Sequence, residues 1–138
     1  MARAARRAMG MAEVEARASA YGLPPLRWPE GWPGNYLHAD RACLVAEEQR
    51  ALEQFARAAL RAAFTRGIDL SDDAAVFEIA QTVGLDNGPR TRAAGGPEIK
   101  QRPRSNTDEA YAAGAVGVPT LRLHGRLFWG DDRLESAG

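Results

Sequence analysis

A single cysteine, Cys43, and a single lysine, Lys100, are all that the chain holds of those two residue types in 138 residues. One cysteine cannot close an internal disulfide, and no Cys-x-x-Cys pair is present. In an alanine-rich helical stretch it reads as a small, buried or half-buried residue rather than a reactive thiol. A charge imbalance is lacking too: Lys and Arg together number 18, and so do Asp and Glu. A balanced chain carries no electrostatic footprint for nucleic acid. No run is long and apolar enough to span a membrane. The two histidines, His38 and His124, lie far apart with no Cys or carboxylate at metal-ligand spacing, so no metal site is expected. His38 reads as a helix-surface residue and His124 as a turn residue.

What is present suits one folded domain, with 45% hydrophobic residues. Arg6-Arg7 is a twin arginine, but Glu13 and Glu15 interrupt the apolar stretch that an export signal needs. Residues 3–20 therefore read as a mature helix, with Met9, Val14 and alanines as its apolar stripe and Tyr21-Gly22 as its stop. With no disulfide to form, a cytoplasmic location is expected.

The proline-rich LPPLRWPEGWPGN at 23–35 reads as an ordered loop, stiffened by proline and anchored by Trp28 and Trp32. Asn35 can cap a helix reaching Glu48. A further helix is expected over about Arg50–Thr65, ended by Gly67. Asp69 or Ser71 then opens another, with Val76, Phe77, Ile79, Ala80 and Val83 as its buried side. Residues 86–104, rich in proline and glycine, are expected to form broken turns, and Asn106-Thr107 to start a helix to about Ala113. Late in the chain, Thr120–Leu123 alternates, His124-Gly125 makes a two-residue turn and Arg126–Phe128 returns. Gly130-Asp131-Asp132 looks like a helix start. An isolated hairpin is marginal in water, and its open edges invite pairing, so a partner strand is expected to be missing.

Gly117-Val118-Pro119-Thr120 followed by LRLHGRLFWGDDRLE resembles the end of the 2-hydroxychromene-2-carboxylate isomerases, kappa-class glutathione transferases and DsbA-like proteins. YGLPPLRWPEGWPGN, FTRGIDLSDDAAVFEIAQTVGLD and PEIKQRPRSNTDEAYAAGAVGVPT resemble the helical insertion of that group and the approach to its final hairpin. The resemblance implies an α/β, thioredoxin-like fold of DsbA type with an inserted helical subdomain. Residues 1–114 would be that insertion and 115–138 the C-terminal remainder of the thioredoxin-like part. The family's first βαβ unit, which carries its catalytic serine or Cys-x-x-Cys, has no match here, so the chain is expected to be N-terminally truncated and no catalytic residue is assigned.

Two candidate binding elements follow from the resemblance. The Val118–Pro119 bond is cis in this fold, which turns the backbone N–H and C=O of Val118 outward to pair with an extended peptide such as the cysteinyl unit of glutathione. Asp131 and Asp132 take the Ser and Asp positions that serve the γ-glutamyl end in kappa transferases; simple helix capping is their alternative role. Trp28, Trp32 and Trp129 are either packing anchors or walls of an aromatic pocket. The implied function is a glutathione-dependent isomerisation of a small aromatic carboxylic acid, inactive in this chain alone. A non-catalytic remnant and a fragment of a DsbA-type thiol oxidoreductase remain alternatives. Self-association through an exposed hairpin is expected, with Leu121, Leu123, Leu127 and Phe128 less covered than a core would be.

Overall fold

Alanine and arginine dominate the first twenty residues, and both favour helix. Helix α1 accordingly spans Ala2–Ala20. The computed structural model describes residues 2–85 and 96–137; expectations that fall on 86–95 lie outside the described residues. The stripe expected on α1 is not a buried one: Met9 is 66% exposed, and Ala18 is the helix's one buried residue. Alanine content sustains this helix, since α1 packs against no other described helix or strand.

The chain divides into two compact units, Met1–Gly95 and Gly96–Gly138. The sequence boundary at 114/115 followed the family's inheritance, whereas compactness groups the helix before the hairpin with the hairpin itself.

In the first unit, α2 (Leu37–Glu48), α3 (Leu52–Arg66) and α4 (Asp73–Thr82) pack pairwise on one another. Their shared core is built mostly from small side chains, including Ala42, Ala46, Ala59, Ala62 and Ala80, around Phe55, Val76 and Ile79. Alanines let helix backbones approach, and Phe55, 1% exposed, supplies the largest buried side chain among them. Helix ends follow local chemistry. Gly67 stops α3 in the left-handed region at φ 69°, its N–H donating to the Ala62 carbonyl. Asp72, not Asp69 or Ser71, caps α4 by accepting from the Ala74 N–H at 2.9 Å. Asp69 instead accepts from the backbone N–H and hydroxyl of Ser71, and these bonds hold its carboxyl below the usual range. Asn35 is not the cap expected for α2: Tyr36 holds the N-cap position without a side-chain cap bond, and Asn35, one residue earlier, accepts from the Leu37 N–H at 3.2 Å.

The proline-rich loop is ordered by its aromatics. Trp28 stacks tilted on Trp32 at 4.7 Å and edge-on to Phe64 at 5.5 Å. Its indole N–H donates to Glu15 of α1, and the Arg27 N–H donates to the Phe64 carbonyl of α3. His38 departs from its expected surface position: its side chain is 14% exposed and lies 3.6 Å from Asp73, tying α2 to the start of α4.

The second unit opens with α5, Pro97–Ala112. Broken turns were expected up to residue 104, yet the helix runs through. Pro97 sits in the first turn, where no N–H is needed, and Pro103 costs one backbone bond without ending the helix. Thr107, expected at the start of a helix, lies inside this one and donates its hydroxyl back to the Pro103 carbonyl at 2.7 Å. Strands β1 (Thr120–Leu123) and β2 (Arg126–Trp129) form an antiparallel hairpin with Leu123 opposite Arg126. His124 and Gly125 both have positive φ, 48° and 79°, as a type I′ turn demands. A short 3₁₀ helix, Asp131–Ala137, packs back on both strands. Leu121, Leu123 and Leu127 are exposed as expected, but Phe128 is buried, at 6% exposure.

Truncating Phe55 to alanine removes the largest side chain from a core made mostly of alanines. Phe55→Ala is expected to destabilise the helical unit by about 3–5 kcal/mol, measured by urea unfolding followed by far-ultraviolet circular dichroism. A loss below about 1 kcal/mol would mean that the three helices do not depend on it.

Candidate functional site

The turn before β1 is held at several points. The Thr120 hydroxyl donates to the Gly117 carbonyl, and the Gly130 N–H donates to the Pro119 carbonyl at 2.9 Å. Gly117 lies against the Trp129 indole so closely that a Cβ there would stand 2.7 Å from Trp129 Nε1. Between these anchors the Val118–Pro119 bond is cis, as the resemblance implied. Val118 is 92% exposed, and its backbone N–H and C=O make no hydrogen bond to a described residue. Trp32–Pro33 is cis as well, which the sequence did not suggest.

A groove of about 330 Å³ runs beside this turn, within the second unit. Asn106, Glu109 and Ala110 of α5 line it together with Gly117, Val118, Thr120, Arg122 and Leu127. Strand alternation explains the hairpin's share: Thr120 and Arg122 stand opposite Trp129 and Leu127 on one face. Sequence reasoning missed Glu109 and Arg122, because only the fold brings α5 and that face to line one groove.

Asp131 and Asp132 begin the 3₁₀ helix, not the α-helix expected from Gly130-Asp131-Asp132. Gly130 turns the chain at φ 101°, and a Cβ there would meet Asp132 Oδ1. The bond from Gly130 to Pro119 sets the two candidate elements next to each other, so Val118-Pro119 and Asp131-Asp132 form one neighbourhood. Trp129, half-exposed, belongs to it. Trp28 and Trp32 belong to the helical unit, where they anchor the loop and Trp32 also lines a cavity.

Cys43 is half-buried on α2, as expected. Burial, with the Asp40 carboxylate adding to it, pushes the thiol up to about 11. Burial likewise raises Asp40. Such a thiol is protonated at neutral pH, the opposite of an activated nucleophile. Among the described residues no three metal-ligating side chains gather, and no serine or cysteine stands in the first turn of an α-helix.

Comparison with known families decides the membership. The profile of the DSBA-like thioredoxin domain matches residues 3–137. The chain belongs to the DSBA-like thioredoxin domain family. A curated relative of this DSBA-like chain is the 2-hydroxychromene-2-carboxylate isomerase of Sphingobium xenophagum, 30% identical over 127 residues. The match covers 91% of the chain and 63% of the relative. A solved 2-hydroxychromene-2-carboxylate isomerase superposes with a TM-score of 0.84 at 19% identity, over 96% of this chain and 64% of that one. The fold is therefore the thioredoxin-like DsbA type, mostly helical with a C-terminal antiparallel hairpin. The DSBA-like chain spans somewhat under two thirds of the length of the relatives it matches.

The raised Cys43 thiol makes a pH prediction. The thiolate reacts, and it forms only as pH climbs through about 11. Alkylation by iodoacetamide at pH 8 is expected to be about a hundredfold slower than for a free cysteine in an unfolded control, with the rate still rising above pH 10. A plateau reached by pH 9 would contradict the burial assigned to the thiol.

Proposed function

We propose that this DSBA-like chain serves a glutathione-dependent isomerisation of the 2-hydroxychromene-2-carboxylate type, interconverting ring-closed and open-chain forms of a small aromatic carboxylic acid. The observation that carries it is Val118, whose exposed backbone donor and acceptor stand unpaired beside a groove. The name of the 30%-identical relative supports the choice of reaction.

The residues fit glutathione unevenly. Val118 offers one N–H and one C=O in the arrangement that an extended peptide pairs with. Asp132, an exposed carboxylate next to that turn, can hold an ammonium group. Asp131 adds like charge where the γ-glutamyl carboxylate would lie, so it fits poorly there. Glutathione, when bound, supplies the thiol that adds to the aromatic acid and later leaves. The chain's own part is to orient the tripeptide by its backbone and amine end. No described helix offers a serine or cysteine in its first turn, so this reading assigns thiol activation to no described residue. Disulfide exchange is a weaker reading, since the one cysteine has a raised pKa and no partner cysteine.

A second part of the proposal concerns association. Leu121, Leu123 and Leu127 are exposed on a two-stranded sheet whose outer edges are unpaired among the described residues. Apolar exposure beside open backbone favours a chain that adds strands, either another copy or a partner.

The purified 138-residue chain is expected to give no glutathione-dependent isomerase turnover above background while still binding glutathione. Asp131→Ser is expected to tighten that binding by about 3- to 10-fold, through loss of the like charge. Turnover comparable to a full-length isomerase assayed in parallel would contradict the division of labour. Unchanged affinity in Asp131→Ser would remove Asp131 from the site.

Sedimentation velocity over a hundredfold range of concentration checks the second part. The expected result is a shift to larger species as concentration rises. A single monomeric species throughout would show that the hairpin needs no added strand.

A further inference from the structure

The helical unit encloses a cavity of about 340 Å³ that none of the chemistry above uses. Its size falls in the range of small-ligand pockets. Trp32, Tyr36, Phe55, Phe64 and Leu70 line it with aromatic and aliphatic surface. Three residues bring polar or polarisable groups to that surface: Tyr36 with its hydroxyl, Asp40, the one charged residue of the lining, and Cys43. Leu60, another lining residue, is 56% exposed, so the cavity communicates with solvent.

The walls are set before any ligand arrives. Trp32 rests on Trp28, which is held edge-on to Phe64 and hydrogen-bonded to Glu15. The Arg27 N–H fastens the same loop to α3 at 2.7 Å. Such a pocket does not have to form its aromatic surface on binding, which lowers the cost of filling it.

We propose that this cavity is a second binding site, for an uncharged aromatic molecule of one or two rings that carries a hydroxyl or N–H donor to Asp40. Flat rings suit aromatic walls. A single carboxylate at the lining accepts a hydrogen bond and repels an anion. An unpaired charge on the ligand would lose its hydration against apolar walls without recovering it. The raised thiol and carboxyl fit a partly desolvated lining, with Asp40 itself still exposed to solvent. The site lies wholly in the helical unit and is independent of the glutathione reading.

The test uses the 138-residue chain with 4-methylphenol as probe and 4-methylbenzoate as its anionic counterpart. Titration calorimetry is expected to show saturable binding of 4-methylphenol and about tenfold or more weaker binding of 4-methylbenzoate. Asp40→Asn is expected to narrow that gap, because the repelling charge is gone. Ala56→Phe, which places a ring from the α3 lining into the space, is expected to abolish binding while the helical circular dichroism persists. Bound 4-methylphenol should also slow alkylation of Cys43 at pH 9.5, and glutathione should neither compete with it nor protect the thiol. The proposal is overturned by any of three results: no saturable binding of 4-methylphenol, wild-type affinity for 4-methylbenzoate equal to that for 4-methylphenol, or displacement of the phenol by glutathione. Should Ala56→Phe fail to fold, Asp40→Asn and the alkylation rate decide: an unchanged gap together with an unprotected thiol overturns it.

Discussion

The close approach of Gly117 to the Trp129 indole is the constraint on which the second unit depends. A side chain at residue 117 has no room there, so the chain passes flat against the end of β2. The Thr120 hydroxyl then ties β1 to the Gly117 carbonyl, and the Gly130 N–H closes onto Pro119. Together these contacts fasten both ends of the turn and leave Val118 as the residue that faces out. The hairpin starts one residue after Pro119 and ends one residue before Gly130. Both candidate binding elements are thus products of a single braced corner.

The helical unit is built on a different principle. Its helices meet through alanines, so it gains close packing rather than large buried side chains. Phe55 fills the middle, and Trp28 and Trp32 of the proline-rich loop add an outer aromatic layer over Phe64 of α3. That layer encloses space as well as filling it, which is how an alanine-rich bundle comes to hold a cavity. Burial there pushes the Cys43 thiol up to about 11, and the same residue lines that cavity.

Legibility from sequence differed by element, for physical reasons. The hairpin was plain because alternation is a short-range signal and His124-Gly125 can supply two positive φ angles. The extent of α5 was hidden because Pro103 and Asn106-Thr107 carry breaker and cap signals, while the energetic cost of one interior proline was small enough to be absorbed. The stripe on α1 was misleading: periodicity says which face is apolar, not whether anything covers it. His38 found Asp73 across thirty-five residues, and Gly117 found Trp129 across twelve, contacts with no local signature. Val118-Pro119 was legible through family resemblance alone, since Val-Pro by itself is an ordinary dipeptide. Of the cavity, Trp32 alone was legible, as one of the tryptophans that can wall an aromatic pocket; the rest of the lining is gathered from residues 29 to 70 by the fold.

On the proposed function, Val118 presents its backbone to glutathione. Backbone amide shifts of the isotope-labelled 138-residue chain, recorded by nuclear magnetic resonance during titration with reduced glutathione, test it most directly. The account predicts saturable shifts centred on Val118, Thr120, Gly130 and Asp132, with the cavity-lining amides of α2 and α3 unmoved. Saturable shifts confined to other residues, or none at millimolar glutathione, would contradict it.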